Sequence, residues 1–232
     1  AFDNYRIVQV SDLHDATFGD NQERLVEKVR ATNPDAVFLT GDLIDSRRYD
    51  LQNSLDAVEQ FVTFTDVYYV LGNHEVAVNR VDEIYEALDR LGVHILPNQS
   101  LEIERDGERL TIIGIEDPLM GKEPQDMLDE ATATVDDNSF KILLSHRPEI
   151  FETYVENGVD VVFTGHAHGG QVRLPFSDGL FAPGQGWLPT KTSGVHEADE
   201  TKMIVSRGLG NSVLQQRLFN LPEIVVVDLK SQ

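Results

Sequence analysis

Residues 161–171 read VVFTGHAHGGQ. A short apolar run bounded by glycine fits a buried strand, and here it would deliver His166 and His168 just past its end. The pattern recurs. Tyr5–Val10 ends in Ser11-Asp12-Leu13-His14, Asp35–Thr40 in Gly41-Asp42, Val67–Leu71 in Gly72-Asn73-His74-Glu75, and Phe140–Leu144 in Ser145-His146-Arg147-Pro148. In α/β sheets the loops at the carboxyl ends of strands gather along one edge, so five tips far apart in sequence can share one crevice. The glycines before Asp42, Asn73 and His166 suit a sharply turning backbone that lets ligands come close.

Between these strands the apolar spacing becomes helical at Gln22–Ala31, Leu51–Phe61, Val81–Leu91 and near Glu149–Asn157. Leu101–Ile115 holds an Asp106-Gly107 turn between alternating runs and predicts a hairpin. Val159–Phe163 lies within the opening strand, and further strands are expected at Met203–Ser206 and Ile224–Leu229. From Arg173 to Val195 the density of proline and glycine predicts a long irregular loop. Its Phe176, Leu180, Phe181, Trp187 and Leu188 are expected to roof one side of the crevice mainly by ordinary packing. A chain of 232 residues with 41% hydrophobic content can build one sizeable core, and a single domain spanning 1–232 is expected.

Composition narrows the chemistry. The chain has no cysteine, which removes disulfides, thiolate metal sites and cysteine nucleophiles. Forty acidic against 19 basic residues give a net charge of −21, which repels duplex nucleic acid and argues against a nuclease. No apolar run reaches the roughly 18 residues that span a bilayer. Ala1 lies close to the first strand, so the compartment stays open between the cytoplasm and a membrane-associated or exported form made with a removed leader or anchor.

Each polar piece has a plainer use when taken alone. Asp12-x-His14 can be a hydrogen-bonded loop pair, Gly41-Asp42 a turn, Asn73 a helix cap, and His146 a satisfied core histidine. The conjunction favours a shared site, because five of the seven histidines fall at strand tips. His94 and His196 lie outside the set and are assigned no role. Two imidazoles at alternate positions repel when protonated and fit a metal pair when neutral. Mixed oxygen and nitrogen donors without sulfur favour Mn²⁺, Fe or Zn²⁺ over Mg²⁺ or Ca²⁺.

This ordered set resembles the calcineurin-like metallophosphoesterase superfamily, over residues 7–171. Gly169-Gly170-Gln171, Ser206-Arg207-Gly208-Leu209-Gly210 and Leu221-Pro222-Glu223-Ile224 resemble its bacterial YkuE/YaeI-like branch. The resemblance implies a four-layer α/β/β/α sandwich of two mixed sheets flanked by helices. It implies two divalent transition ions, Mn²⁺ foremost. Asp12, His14, Asp42 and His168 would hold one, Asp42, Asn73, His146 and His166 the other, and the two oxygens of Asp42 would span both. A hydroxide between the ions would be the nucleophile, and His74 the catalytic residue that protonates the leaving oxygen or stabilises charge. With both ions bound the site would be locally positive and attract phosphate despite the acidic chain.

Glu75 stands where an acid pairs with a neighbouring histidine or simply opens a helix. Asp45 replaces the tyrosine of purple acid phosphatases, so no iron-tyrosinate site is expected. Arg147, Arg207 and Gln171 are candidate substrate contacts. The expected substrates are a small phosphodiester, a nucleotide or lipid diphosphate such as a UDP-diacylglucosamine, or a phosphomonoester. Association with a membrane surface is compatible with this reading, and no protein partner is inferred. A nuclease and a non-catalytic scaffold of the same fold are the remaining alternatives.

Overall fold

The computed structural model describes residues 2–173, 178–211 and 216–230. In chain order the strands are β1 (Arg6–Val10), β2 (Ala36–Thr40), β3 (Asp66–Val70), β4 (His94–Ile95), β5 (Gln99–Arg105), β6 (Glu108–Gly114), β7 (Phe140–Leu144), β8 (Val161–Thr164), β9 (Phe181–Ala182), β10 (Gly186–Trp187), β11 (Gly194–Ala198), β12 (Thr201–Val205) and β13 (Val225–Asp228). The helices are α1 (Glu23–Ala31), α2 (Leu51–Phe61), α3 (Asn73–Ala77), α4 (Val81–Arg90), α5 (Pro124–Thr132) and α6 (Phe151–Glu156).

Two mixed sheets result. One runs β13-β1-β2-β3-β4, with β1 to β4 parallel and β13 antiparallel at its edge. The other runs β11-β12-β8-β7-β6-β5, parallel from β12 to β6 and closed at both edges by antiparallel strands. Strand alternation sorts the side chains into layers. Ile7, Phe38 and Tyr68 of the first sheet meet Ile112, Ile142, Leu144, Phe163 and Ile204 of the second between the sheets. On the first sheet's outer face Val8, Val10, Val37 and Leu39 pack with Leu25, Val29, Val58, Phe61, Ile84 and Leu88 of α1, α2 and α4. On the second sheet's outer face Ile113, Leu143, Val162 and Val205 pack with Met127, Leu128, Phe151 and Tyr154 of α5 and α6. This is the expected four-layer sandwich.

Gln9 is the one buried polar residue of β1. Its buried amide donates to Thr40 Oγ1 and to Thr164 O, both at 2.9 Å, and so ties the two sheets together directly below the strand tips.

The structure departs from expectation in several places. The helix expected near 149–157 is a 3₁₀ turn, Pro148–Ile150, followed by α6. Helix α5 was not anticipated, because its apolar Met127, Leu128 and Ala131 are too few to make a long periodic stripe. The segment from Arg173 contains the small β9–β10 hairpin, and Leu180 is half-buried, but Trp187 and Leu188 are 77% and 73% exposed instead of packed. Phe176 lies outside the described residues. Among the described residues no helix is long and apolar enough to cross a membrane.

Candidate metal centre

The two sheets bring their tips together so that two groups of side chains share Asp42. Ligand atoms of Asp12, His14, Asp42 and His168 lie within 4.8 Å of one another, as do those of Asp42, His146 and His166. His14 Nε2 is 3.1 Å from His168 Nε2 and 3.5 Å from Asp42 Oδ2, while His168 Nε2 is 3.4 Å from Asp12 Oδ1. In the second group His146 Nε2 is 3.1 Å from His166 Nδ1, 3.2 Å from Asp42 Oδ2 and 3.2 Å from Asn73 Oδ1. Nitrogen ligands about 2.1 Å from one ion, seen at right angles, sit about 3 Å apart. The donor spacing therefore fits divalent ions.

Tautomers can be read from the surrounding hydrogen bonds. His146 Nδ1 donates to Thr40 O at 2.8 Å, which leaves its Nε2 facing Asp42, Asn73 and His166. A ring nitrogen fixed by a backbone carbonyl in this way is the usual support of a metal-binding histidine. Asp42 Oδ1 accepts the backbone N–H of His74 at 2.9 Å, and Oδ2 lies close to a histidine of each group.

Backbone strain is concentrated here. Asp12, His14, Asp42, His166 and His168 all have φ between 48° and 65°, a conformation that costs a residue with a Cβ and collects at functional sites. Of the three glycines singled out in sequence, Gly41 has φ 87°. Gly165 is needed for space instead: a Cβ there would lie 2.0 Å from Ser11 Oγ.

Glu75 neither pairs with a histidine nor merely opens a helix. Its carboxylate accepts the backbone N–H groups of Gly72 at 2.7 Å, Asp42 at 2.9 Å and Ile44 at 3.2 Å, and so staples two strand tips together. His74 lies beside the first group, its ring edge-on to His14 with centroids 4.5 Å apart. Ser46 N–H donates to His74 Nδ1 at 3.0 Å, which puts the neutral ring's proton on Nε2.

The candidate arginines separate. Arg147 is braced by Asp117 through two bonds of 2.6 and 2.9 Å and brings its guanidinium 2.9 Å from His166 Nε2. Arg207 is engaged by Glu223 at 2.9 Å. Arg217, not foreseen, lies 3.5 Å from His168 Nδ1 and lines a cleft of about 560 Å³ beside His14 with Thr17, Phe18, Arg48 and Leu221. Gln171 sits at φ 57°, ψ −61°, the centre of a γ-turn closed by Val172 N–H to Gly170 O at 2.7 Å. That conformation is rare and strained, and the buried amide has no hydrogen-bond partner among the described residues. Asp117 was missed although it follows β6 as the other polar residues follow their strands. Asp45, within 3.8 Å of His74 Nδ1, pairs with Arg48. His94 stacks on Tyr68 and His196 contacts Ser193 O, both outside the centre.

Burial holds the pKa values of His14, His166 and His168 below the ordinary histidine range, with neighbouring positive groups acting in the same direction. Burial opposes charge on His146 as well, but Asp42 outweighs it and raises that ring to about 10. Below about pH 6.5 the unfolded chain protonates the first three rings before the folded chain does, so stability falls with pH. Glu75, raised to about 7 by burial and then by Asp42, acts oppositely, and so does His146 until the unfolded chain's ring is itself protonated. Chelator-treated protein is therefore expected to melt at progressively lower temperature from about pH 6.5 to about pH 5. A flat or rising melting temperature in calorimetry would contradict this balance.

Comparison with known proteins agrees with this geometry. The family model described as calcineurin-like phosphoesterase matches residues 5–170. A metallophosphoesterase of Campylobacter jejuni is 34% identical over 98% of this chain, which spans 59% of that relative's length. The metallophosphoesterase YkuE of Bacillus subtilis is 28% identical over 99% of this chain and 80% of its own. The structure of a dimetal phosphatase from Danio rerio shares the fold at a TM-score of 0.53, with 14% identity over 89% of this chain and 88% of that one. All five histidine- and aspartate-bearing strand tips fall inside the matched span, and the chain belongs to the calcineurin-like phosphoesterase family.

Proposed function

We propose that the chain is a binuclear metal-dependent phosphoesterase, with Asp12, His14, Asp42 and His168 holding one ion and Asp42, Asn73, His146 and His166 the other. The observation that carries the reading is Asp42 Oδ2, which lies within 3.5 Å of histidine nitrogens from both groups. Two divalent ions, Mn²⁺ foremost, would supply Lewis acidity toward phosphoryl oxygens and make water a nucleophile at neutral pH. The protein's own part is orientation and proton transfer. Thr40 O fixes the His146 ring, Glu75 fixes the backbone around Asp42, and His74 Nε2–H is poised to donate a proton to the leaving oxygen. Arg147, braced by Asp117, offers its remaining donor capacity to a phosphoryl oxygen.

The reading extends to the whole chain as one metallophosphoesterase domain, because Arg217 and Leu221 from beyond the matched span line the cleft beside His14. A YkuE/YaeI-like phosphodiesterase is the reading preferred over a monoesterase, since an open cleft next to the first group leaves room for a second ester substituent. The test is a hydrolysis panel in Mn²⁺: a bis-aryl diester, an aryl monoester, nucleotide sugars and lipid diphosphates. Preferential cleavage of the diester supports the reading. No cleavage of any member, with metal bound, would favour a non-catalytic scaffold.

Asn73 provides a narrower check. It contributes an uncharged oxygen to one group only, 3.2 Å from His146 Nε2. Asn73→Ala is expected to weaken one ion at least about tenfold, the scale on which even supporting contacts to a ligand act. Activity should return in part as Mn²⁺ is raised. Equal weakening of both ions in a calorimetric titration would contradict the division of ligands.

A further inference from the structure

His168, Gly169, Gly170 and Gln171 have φ of 48°, 61°, 71° and 57°, which makes a left-handed turn beyond β8. Glycine takes such angles freely, but His168 and Gln171 carry a Cβ and adopt them at a cost. Something must hold the turn. Within it, Gln171 N–H donates to His168 O at 2.9 Å and Gly170 N–H to Ala167 O at 2.8 Å. From outside, Asn220 Nδ2 donates to His168 O at 2.6 Å and to Gln171 O at 3.1 Å, so one side-chain amide grips the first and last carbonyls of the turn. Arg173 adds a longer bond to Gly169 O at 3.3 Å.

Asn220 is buried and lies 52 residues further along the chain than His168. Its partners fix its orientation: both are carbonyl oxygens, which only accept, so the amide nitrogen faces them. Its Oδ1 has no partner among the described residues and points where a Cβ on Gly169 would collide with it. A buried oxygen left unpartnered costs stability, and what the residue gains in return is the grip on the turn. His168 needs that grip more than His146 does. Thr40 O fixes the His146 ring through Nδ1, whereas the group beside His168 Nδ1 is the Arg217 guanidinium at 3.5 Å, a donor. With no acceptor on that nitrogen among the described residues, the backbone of the turn sets where His168 Nε2 points, 3.4 Å from Asp12 Oδ1 and 3.1 Å from His14 Nε2.

We infer that Asn220 is a positioning residue for the ion of the first group: by clamping the left-handed turn at His168 O and Gln171 O, it aims His168 at Asp12 and His14. This role rests on the binuclear reading of the centre and extends it to a residue that touches no ion.

Calorimetric titration with Mn²⁺, alongside melting curves, tests it without recourse to hydrolysis. Asn220→Ala is expected to weaken one ion about 10- to 100-fold, the range for contacts that support a metal ligand, and to spare the other. Asn220→Leu keeps most of the side-chain volume but lacks the donors, so it should do the same; wild-type affinities in that variant would make bulk the cause and overturn the role. Asn220→Ala combined with Asn73→Ala identifies the ion. Both ions should then be weak, because the two substitutions act on different groups. One ion held as tightly as in the wild type would put both residues on the same ion and overturn the assignment. A lower melting temperature with both affinities unchanged, or with both reduced equally, would make Asn220 a support of the fold alone and overturns the role as well. Fewer than two ions in the wild type would overturn the binuclear reading beneath it, whereas two ions in the wild type, held unchanged by the Asn220 variants, would overturn the role of Asn220 and leave that reading intact.

Discussion

Asp42→Ala is expected to abolish binding of both ions, with hydrolysis falling to the background. Every other proposed ligand serves one group, whereas Asp42 Oδ2 is 3.5 Å from His14 Nε2 and 3.2 Å from His146 Nε2. Removal of a single charge-stabilising donor from an active site costs about 10² to 10³ in turnover, so loss of both cations should cost more than about 10³. The substitution also orphans the His74 backbone N–H that Asp42 Oδ1 accepts, a destabilisation of about 1–3 kcal/mol. The melting transition should remain cooperative. Elemental analysis at saturating Mn²⁺ separates this result from that of Asn73→Ala, which should spare one ion. Retention of one tightly held ion in Asp42→Ala would show that the two groups do not depend on a common oxygen.

The fold was legible because buried strands ending in polar residues recur with α/β spacing, and each strand's side-chain alternation assigns it to a layer. The order of the two sheets was not, since pairing such as β12 beside β8 depends on contacts that periodicity does not encode. The candidate centre was visible through its histidines, which are scarce and clustered. Asp117 has no histidine beside it and escaped notice, although it positions Arg147. Arg217 lies in a stretch without strand or helix periodicity, so nothing local marked it as facing His168. The left-handed backbone at Asp12, His14, Asp42, His166 and His168 is equally silent in sequence: side chains with a Cβ disfavour it, and only tertiary packing holds it in place. Glu75 was visible as an acid at a helix start, but its three backbone donors come from two strand tips that only the fold makes neighbours.

His74→Asn is expected to leave both ions bound while turnover falls by about 10² to 10⁴, the range for a lost general acid. The choice of asparagine follows from the geometry. Its side-chain oxygen can take the place of Nδ1 and keep accepting the Ser46 N–H seen at 3.0 Å, so the loop around Asp45 and Ser46 retains its support. What disappears is the Nε2 proton. The His74 backbone N–H still reaches Asp42 Oδ1, so the carboxylate that serves both groups is undisturbed. If Nε2–H protonates the leaving oxygen, the loss should be steep for alkyl esters and shallow for an activated aryl ester, whose leaving group needs little protonation. His74→Gln sharpens the distinction, because its amide can offer a hydrogen bond near Nε2 without delivering a proton. Recovery by glutamine with equal losses across leaving groups would assign His74 to stabilising charge on a phosphoryl oxygen. Full activity of His74→Asn on every ester, with metal content unchanged, would remove His74 from the chemistry and leave its ring only as an edge-on neighbour of His14.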